Sequence, residues 1–344
     1  MNRRQFLASA ASAASSLALA EAQPAPAPVR LGIDLFSIRT SGWGPFEYLD
    51  YCARQGARVV HFSEIRFVGN LEAEHLKKVG AHAAQLGIQC EIGMRSICPT
   101  SAMFDAKQGT AQQQLGRMIT AAVQIGSPIV RAVLGSMEDR KPPGIDAHIA
   151  NTVKVLRAVR QRALDSGIKI AIENHAGDMQ ARELKTLVEE AGKDFVGVCL
   201  DSGNPLWTLE DPHLTLETLH PYVLTSHVRD TAVWSTPEGA AVRWVRMGQG
   251  NVGMDSYVRR YRELCPGRAI SLEIIVMQRS FAYKKPEFWE RYRSSAAWEF
   301  QRFLTLVENG KPLPDLEPVP KELAAQRERQ DLEASIEYTK GLIA

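Results

Sequence analysis

The chain has 344 residues, of which 45% are hydrophobic and 23% are charged, and its formal net charge is +2. This composition is that of a globular protein with a sizeable core, long enough for one large or two medium domains. The small net charge provides no basic excess for nucleic-acid binding, so we expect no nucleic-acid partner.

The N-terminus has the features of an export signal. Arg3-Arg4 and Phe6-Leu7 precede a weakly apolar stretch up to Ala20, and a small-residue cleavage motif and a Pro/Ala spacer follow. This order is typical of secretory signals, and the paired arginines resemble a twin-arginine address. We therefore assign residues 1–28 to a signal and spacer and expect a periplasmic protein. No other segment is long and apolar enough to span a membrane, so we expect no membrane anchor.

Between residues 29 and 309, predicted strands alternate with predicted helices. The predicted strands are Arg30–Ser37, Arg58–Phe62, Ile88–Gly93, Ile129–Leu134, Ile168–Ile172, Val196–Leu200, Tyr222–His227 and Ala269–Ile275. The predicted helices are Phe46–Gln55, Leu71–Leu86, Thr110–Ile125, Ile145–Ser166, Met179–Ala191, Asp255–Cys265 and Pro286–Val307. Eight alternating strands predict a (β/α)8 TIM barrel of the α/β class. A doubly wound sheet is the alternative, but no Gly-rich dinucleotide loop follows the first strand.

Residues 310–344 are predicted to form a Pro-rich linker and a C-terminal helix. Four prolines lie between Gly310 and Lys321, and the polar stretch Lys321–Ile343 has helical character. Its apolar residues are expected to pack on the barrel or on a second subunit, which leaves a homo-oligomer open.

Four predicted strands end in residues that bind metals. Glu173, Asp201, His227 and Glu273 follow strands five to eight. The C-terminal ends of barrel strands share one face, and neighbouring strands are about 5 Å apart, so these side chains are expected to converge. Three carboxylates beside an imidazole need a cation. The oxygen-rich donor set suits Mn²⁺ or Mg²⁺, with Co²⁺ or Zn²⁺ as alternatives.

The motifs around these residues resemble the xylose isomerase-like TIM barrels, which include sugar isomerases and epimerases. The resemblance covers about Arg30 to Val307 and rests on Ile172–His175, Cys199–Asn204, Ser226–Asp230, Gly248–Gly250 and Leu272-Glu273. It implies the family's Glu, Asp, His and Glu metal site at the four positions named above. It also implies that Glu173 and Glu273 act as acid and base on opposite faces of the sugar. The metal would stabilise the enediolate that forms on proton loss.

Seven further residues are predicted to bind the substrate. His175, Asn204, Arg229 and Asp230 lie close to the ligands in sequence, with hydrogen-bonded loop caps as the alternative interpretation. Trp43 and Trp234 follow strands one and seven, where an indole either stacks on a sugar or packs between loops. His61 lies on the second strand, where the family often has Glu.

Two departures from the family pattern, His61 on the second strand and Asn204, affect the functional prediction. Asn204 stands where many epimerases of this family have a His, and that His is also required by the phosphodiester-cleaving branch. From the predicted metal site and the family resemblance we expect a divalent-metal-dependent isomerase or epimerase that acts on a small carbohydrate. A lyase or dehydratase on a keto-sugar or polyol is the alternative, and a non-catalytic sugar-binding protein is a third hypothesis.

Arg39, Arg66 and Arg95 near strands one to three could recognise a carboxylate or phosphate, whereas Arg131 within strand four is predicted to be structural.

Overall fold

Eight of the strands form a parallel barrel in this computed structural model, which describes residues 29–343. The predicted export signal lies outside the described residues. In chain order the strands are β1 Leu31–Asp34, β2 Val59–Phe62, β3 Gln89–Ser96, β4 Ile129–Val133, β5 Lys169–Glu173, β6 Val196–Asp201, β7 Val223–His227, β8 Asp230–Ser235, β9 Ala240–Val245, β10 Ile270–Leu272 and β11 Met277–Phe281. The parallel sheet has the order β10-β1-β2-β3-β4-β5-β6-β7, which confirms the predicted TIM barrel.

The barrel closes between β7 and β10 through an isolated bridge rather than a continuous ladder. The amide of Val228 donates to the Ser271 carbonyl at 2.7 Å, and the amide of Glu273 donates to the Val228 carbonyl at 3.1 Å. The Ser226 hydroxyl adds a bond to the Ala269 carbonyl at 2.9 Å. Among the described strands, the β7–β10 pair therefore has the shortest strand pairing in the barrel.

Alternation along the strands separates an apolar layer from a polar barrel interior. On β5, Ile170 and Ile172 join the large core between sheet and helices, whereas Glu173 belongs to the interior. Inside, the Thr225 hydroxyl donates to the Glu91 carboxylate at 2.6 Å, and both residues are buried. Because buried charges require partners, this interior is a place where polar side chains must contact one another.

Helices surround the barrel and follow the strands. They are α1 Pro45–Arg54, α2 Ile65–Val68, α3 Ala73–Gln85, α4 Ala111–Ile125, α5 Ile145–Asp165, α6 Ala181–Ala191, α7 Pro212–Leu219, α8 Met254–Leu264, α9 Ala297–Asn309 and α10 Ala324–Ile343. Helix α7 was not predicted, although Asp211 caps it by accepting from the His213 amide at 2.9 Å. No helix within residues 29–343 has the length and apolar character needed to cross a membrane.

The predicted helix Pro286–Val307 is wrong as a single element. A 3₁₀ segment covers Pro286–Arg291, and α9 begins only at Ala297. The chain turns inward between them, because the Tyr292 hydroxyl donates to the Trp207 carbonyl at 3.2 Å and the Arg140 guanidinium lies 4.4 Å from the Tyr292 ring centre.

A small antiparallel sheet, with the order β11-β9-β8, covers segments that the sequence analysis left as loops. A tight turn joins β8 to β9, in which the Thr236 amide donates to the Gly239 carbonyl at 2.9 Å. The sheet follows β7 and β10, so it extends the wall of the barrel at its C-terminal end. It thereby brings Trp244 to the mouth of the barrel.

The C-terminal helix α10 packs against the barrel. Leu332 and Ile336 are buried in the main apolar core. The Tyr51 hydroxyl donates to the Glu333 carboxylate at 3.0 Å, and the Thr40 amide donates to Glu328 at 2.9 Å. The helix is thus held by both apolar and polar contacts.

Candidate metal and substrate site

Four side chains converge at the C-terminal ends of neighbouring strands. Glu173 ends β5, Asp201 ends β6, His227 ends β7, and Glu273 directly follows β10. One ligand atom from each lies within 4.8 Å of the others, and all four residues are buried. The structure therefore brings together all four residues that the sequence singled out as metal ligands.

The two ring nitrogens of His227 face different partners. Its Nδ1 lies 3.0 Å from Glu173 Oε2 and 3.2 Å from Glu273 Oε2 but forms no hydrogen bond. Its Nε2 lies 3.0 Å from Asp34 Oδ2 and 2.7 Å from His61 Nδ1. A buried ring nitrogen without a hydrogen bond, beside two carboxylates, fits a metal ligand.

Asp34 supports that orientation of the imidazole. The Phe36 amide at 2.6 Å and the Ser63 hydroxyl at 2.8 Å both donate to Asp34 Oδ1, and Oδ2 lies 3.0 Å from His227 Nε2 in a charge contact without a hydrogen bond. The hydrogen bond of His227 Nε2 is to His61 Nδ1, so His61 as acceptor and the nearby Asp34 charge both favour a proton on Nε2 and leave Nδ1 for an ion. The sequence analysis missed Asp34, although the first strand also ends in an acid.

Two arginines contact the carboxylates of this cluster. Arg131 Nε donates to Glu173 Oε2 at 2.6 Å, so Arg131 is part of the site rather than only of the barrel wall. The Arg229 guanidinium contacts both Asp201 and Glu273. A divalent cation would therefore share these two carboxylates with Arg229.

The pKa values of the carboxyl groups follow from burial and from these cations. Burial opposes ionisation, but Arg131 and His227 hold the pKa of Glu173 well below its usual value. Burial is likewise outweighed at Glu273, where Arg229 and His227 lower the pKa to about 2. Burial dominates at Asp201 and raises its pKa to about 6 despite Arg229. Both glutamates are thus ionised at neutral pH.

The pKa of His227 is raised well above its usual value even though burial opposes a charge on the ring. The neighbouring Cys199 is not the source, because burial raises the pKa of this thiol to about 12 and leaves it neutral at pH 7. The carboxylates of Glu173, Asp34 and Glu273 attract the proton instead. The same carboxylates would attract a metal cation.

A cavity of about 460 Å³ opens above the cluster towards solvent. Three predicted substrate-binding residues line it, together with one of the proposed ligands and two indoles: His175, Asn204, Arg229, Glu273, Trp207 and Trp244. Asn204 Nδ2 donates to Glu173 Oε1 at 3.2 Å, so it connects the cavity wall to the cluster below. The volume is suited to a small-molecule ligand.

His175 presents one ring nitrogen to this cavity. Its Nδ1 donates to the Gly135 carbonyl at 2.7 Å, which leaves Nε2 as the accepting nitrogen. The Asp178 carboxylate accepts from the His175 amide at 2.9 Å and from the Gly135 amide at 3.1 Å, fixing both loops. Burial, assisted by Arg131, lowers the pKa of His175, so the ring is neutral at pH 7.

Two other predicted substrate-binding residues lie away from the cavity. His61 is fully buried below the cluster and contacts the His227 ring. The Asp230 carboxylate accepts from the amides of Gly248 at 3.0 Å and Gly250 at 2.8 Å. It thereby fixes the turn at Gly248–Gly250 instead of facing a substrate.

The predicted aromatic residues are also placed differently. Trp43 packs on Tyr51 with ring centres 5.2 Å apart, and Trp234 belongs to a small apolar cluster of the antiparallel sheet. The indoles in the cavity are Trp207 and Trp244, stacked with centres 4.3 Å apart. Trp207 also follows a predicted strand, the sixth, so the same signal could have identified it, whereas nothing pointed to Trp244 because its strand was not recognised.

Comparisons with known proteins agree with this architecture. A family model described as "Xylose isomerase-like TIM barrel" matches residues 49–298. The chain is 27% identical over 184 residues to a 3-oxo-isoapionate decarboxylase from Pectobacterium atrosepticum, covering 54% of this chain and 60% of that protein. It spans only about 60% of the length of the curated relatives that it matches.

Solved structures show the same fold. A D-psicose 3-epimerase superposes with a TM-score of 0.59 at 14% identity, covering 92% of this chain and 99% of that one. A xylose isomerase domain protein from Planctomyces limnophilus superposes with a TM-score of 0.58 at 16% identity, covering 86% of this chain and 91% of that one. At these identities the likeness concerns the fold alone.

Proposed function

The chain belongs to the xylose isomerase-like TIM barrel family, and we propose that it is a divalent-metal-dependent isomerase or epimerase acting on a small carbohydrate. The observation that carries this proposal is the convergence of Glu173, Asp201, His227 and Glu273 within 4.8 Å beneath an open cavity. Mn²⁺ is the proposed ion, with Mg²⁺, Co²⁺ or Zn²⁺ as alternatives, since the donor set is rich in oxygen. When bound, the ion would polarise a substrate carbonyl and stabilise charge on its oxygen.

Glu273 is the proposed proton acceptor on one face of the substrate. It lines the cavity and is ionised at neutral pH, as abstraction of a carbon-bound proton requires. Arg229 lies against its carboxylate and also lines the cavity, so its guanidinium can hold a substrate oxygen next to the reacting carbon.

The opposite face has two candidate proton-transfer groups. Glu173 is the group that the family resemblance implies, but it is fully buried and its Oε1 accepts from Asn204. His175 offers an accepting Nε2 on the cavity side. His61 and Asp230 are poorer candidates, because neither lines the cavity.

A lyase is the second candidate function. The relative from Pectobacterium atrosepticum is named a decarboxylase of a 3-oxo compound, and cleavage next to a carbonyl also produces an enolate that must be protonated. The same ion, Glu273 and His175 would serve that reaction. A non-catalytic sugar-binding protein is the third hypothesis, and the presence of both glutamates in the cluster beneath the cavity favours an enzyme.

The proposal is tested by deuterium uptake from D₂O. Purified, Mn²⁺-loaded protein is incubated with a panel of sugars and keto-sugars, and NMR follows the products after removal of protein and metal. Incorporation of deuterium with retention of the carbon skeleton supports an isomerase or epimerase. An unsaturated or shortened product supports a lyase. No deuterium uptake and no product from any member of the panel would contradict an enzyme of either kind.

Glu→Gln variants separate proton transfer from metal binding. Glu273→Gln keeps one coordinating oxygen but lacks a basic carboxylate, so at saturating Mn²⁺ turnover should remain at least about 10²-fold low. Glu173→Gln and His175→Gln show which residue acts on the other face. Glu64→Gln, at the cavity rim, is the matched control and should keep turnover. Recovery of near-wild-type turnover by both Glu173→Gln and Glu273→Gln at saturating Mn²⁺ would make these glutamates ligands only.

A further inference from the structure

The cavity above the cluster contains more arginine than its carboxylates can match. Three of its five arginines contact carboxylates: Arg131 contacts Glu173, Arg229 contacts Asp201 and Glu273, and Arg39 lies 3.3 Å from Glu328. The remaining two, Arg95 and Arg279, have no carboxylate within 4 Å among residues 29–343, and both are exposed.

The acidic side chains near these two arginines are Glu64, Asp105 and Glu138, and each has other partners. Glu138, the one near Arg279, contacts Lys141. Glu64 lines the same cavity but contacts Arg66. Asp105 lines a smaller adjoining cavity, of about 230 Å³, which shares Arg95. Its carboxylate accepts from the Lys107 amide at 3.1 Å and from the Gln108 side chain at 3.0 Å. Two guanidinium groups therefore face the space above the cluster without a counter-charge in ion-pair contact.

A divalent ion would not remove this imbalance. If Asp34 is counted with the other three carboxylates and His227 as neutral, the four negative charges are matched by the ion together with Arg131 and Arg229. Arg95 and Arg279 then leave two positive charges at the cavity, and Asp105 in the adjoining cavity offsets at most one of them. A neutral sugar would not balance them, whereas an anionic ligand would.

Aromatic stacking holds Arg279 in position without a carboxylate. Its guanidinium carbon lies 5.0 Å from the centre of Trp207, which stacks on Trp244 at 4.3 Å. On the other side of this pair, the Arg229 guanidinium lies 4.4 Å from the Trp244 ring. The four side chains form one wall of the cavity, from the cluster outwards to Arg279.

Arg95 approaches from the other side of the barrel. It lies on β3, which is four places from β7 in the ring of eight strands, while Arg229 follows β7. Arg279 belongs to the wall that begins at Arg229. A substrate whose reacting carbons contact the cluster would thus have Arg95 on one side of its distal end and Arg279 on the other.

From this arrangement we infer that the substrate carries an anionic group, a carboxylate or a phosphate, which Arg95 and Arg279 bind at the outer part of the cavity. The inference rests on the proposed function, since it names the substrate class for the same site. The planar guanidinium forks match the paired oxygens of either anion.

The binding experiment uses three probes of similar size: D-gluconate, D-glucose 6-phosphate and the neutral D-glucitol. Calorimetry is carried out on the full chain with Mn²⁺ and again with EDTA, because gluconate can also bind the ion itself. We expect at least one anion to bind about tenfold more tightly than glucitol in both conditions, with a difference that shrinks in 0.5 M salt. The preferred anion distinguishes a sugar acid from a sugar phosphate.

Variants test whether the two arginines cause this preference. Arg95→Gln and Arg279→Gln should each weaken anion binding about tenfold and leave glucitol binding unchanged, and Arg279→Lys should recover part of the loss. Arg259→Gln, on the exposed face of α8, is the matched control and should change neither. Equal binding of anions and glucitol, or an equal loss in Arg259→Gln, would overturn the inference.

Turnover separates this inference from the proposed function. Deuterium uptake into neutral keto-sugars with the same kcat/KM as into their acids would contradict an anionic substrate and leave the isomerase proposal intact. Anion binding that depends on Arg95 and Arg279, without turnover of any sugar, would contradict the proposed function and leave the anion subsite in place.

Discussion

The substitution Asp34→Asn tests whether a carboxylate outside the metal cluster sets the tautomer of His227. The Phe36 amide and the Ser63 hydroxyl both donate to Asp34 Oδ1. In the variant, the amide oxygen keeps these two bonds and the NH₂ group replaces Oδ2, 3.0 Å from His227 Nε2. An amide N–H beside Nε2 no longer favours a proton there, so the tautomer with the proton on Nδ1 should become more populated. That nitrogen is the proposed metal ligand, so the variant should bind the ion less well.

The size of the effect follows from the carboxylate that is lost beside the ring. Loss of a carboxylate that supports a metal-binding His typically lowers metal affinity about 10–100-fold. Competition with a chromophoric chelator measures the Mn²⁺ affinity. Long-range ¹H–¹⁵N NMR of the Zn²⁺-loaded protein reports the tautomer of the ring directly.

Ser63→Ala is the matched control for this prediction. It removes one of the two donors to Oδ1 but leaves the carboxylate that faces His227, so we expect less than about a threefold change in metal affinity. If Asp34→Asn binds Mn²⁺ within about twofold of the wild type and keeps its ring proton on Nε2, the proposed role of Asp34 is refuted.

Three further predictions concern charge, pH and export. Arg229→Gln removes a cation that shares two proposed ligands, so chelator competition should show at least about tenfold tighter Mn²⁺ binding, and unchanged affinity would contradict the shared site. Burial raises the pKa of Glu210 from 4.5 to about 7, so the folded state retains a proton that the unfolded chain releases. The free energy of unfolding should therefore fall by roughly 3 kcal/mol between pH 4.5 and 7. In urea titrations, Glu210→Gln should lack this fall in the free energy of unfolding, because Gln does not titrate. Its amide oxygen can still accept from the Thr215 hydroxyl, as the carboxylate does. An unchanged pH dependence would contradict the assignment. Replacing Arg3 and Arg4 by Lys should leave unprocessed precursor in the cytoplasm, whereas normal mature protein in the periplasm would rule out a twin-arginine signal.

Much of the barrel could be predicted because each parallel strand carries its own signal. The apolar run before Glu173 and the one before Asp201 are buried on the side facing the helices, which makes them recognisable from sequence alone. The shared location of the strand ends then follows from the topology, since the parallel strands of a barrel place their C-terminal residues on one face. The convergence of the four proposed ligands therefore needed no information about loops.

The cavity wall was less predictable because loops and long-range packing form it. The strand of Trp244 could have been suspected from the turn at Thr236–Gly239, but its stacking on Trp207 depends on how the antiparallel sheet packs on the barrel. Trp234 has a similar local sequence but faces a separate apolar cluster. Trp244 pairs with Thr231 and Trp234 pairs with Ala241, so the two indoles lie on opposite faces of the sheet. Composition does not reveal which of these faces is turned towards the cavity.

The junction between β7 and β10 has a consequence for assembly of the folded state. His227 ends β7 and Glu273 follows β10, so these proposed ligands stand on opposite sides of the junction that an isolated bridge closes. An ion bound by both residues would cross-link β7 and β10, the two ends of the parallel sheet order, and its binding energy would contribute to the folding equilibrium. Amide hydrogen exchange at Val228 and Glu273 should then slow on metal addition, more than at the β4–β5 ladder on the far side of the barrel.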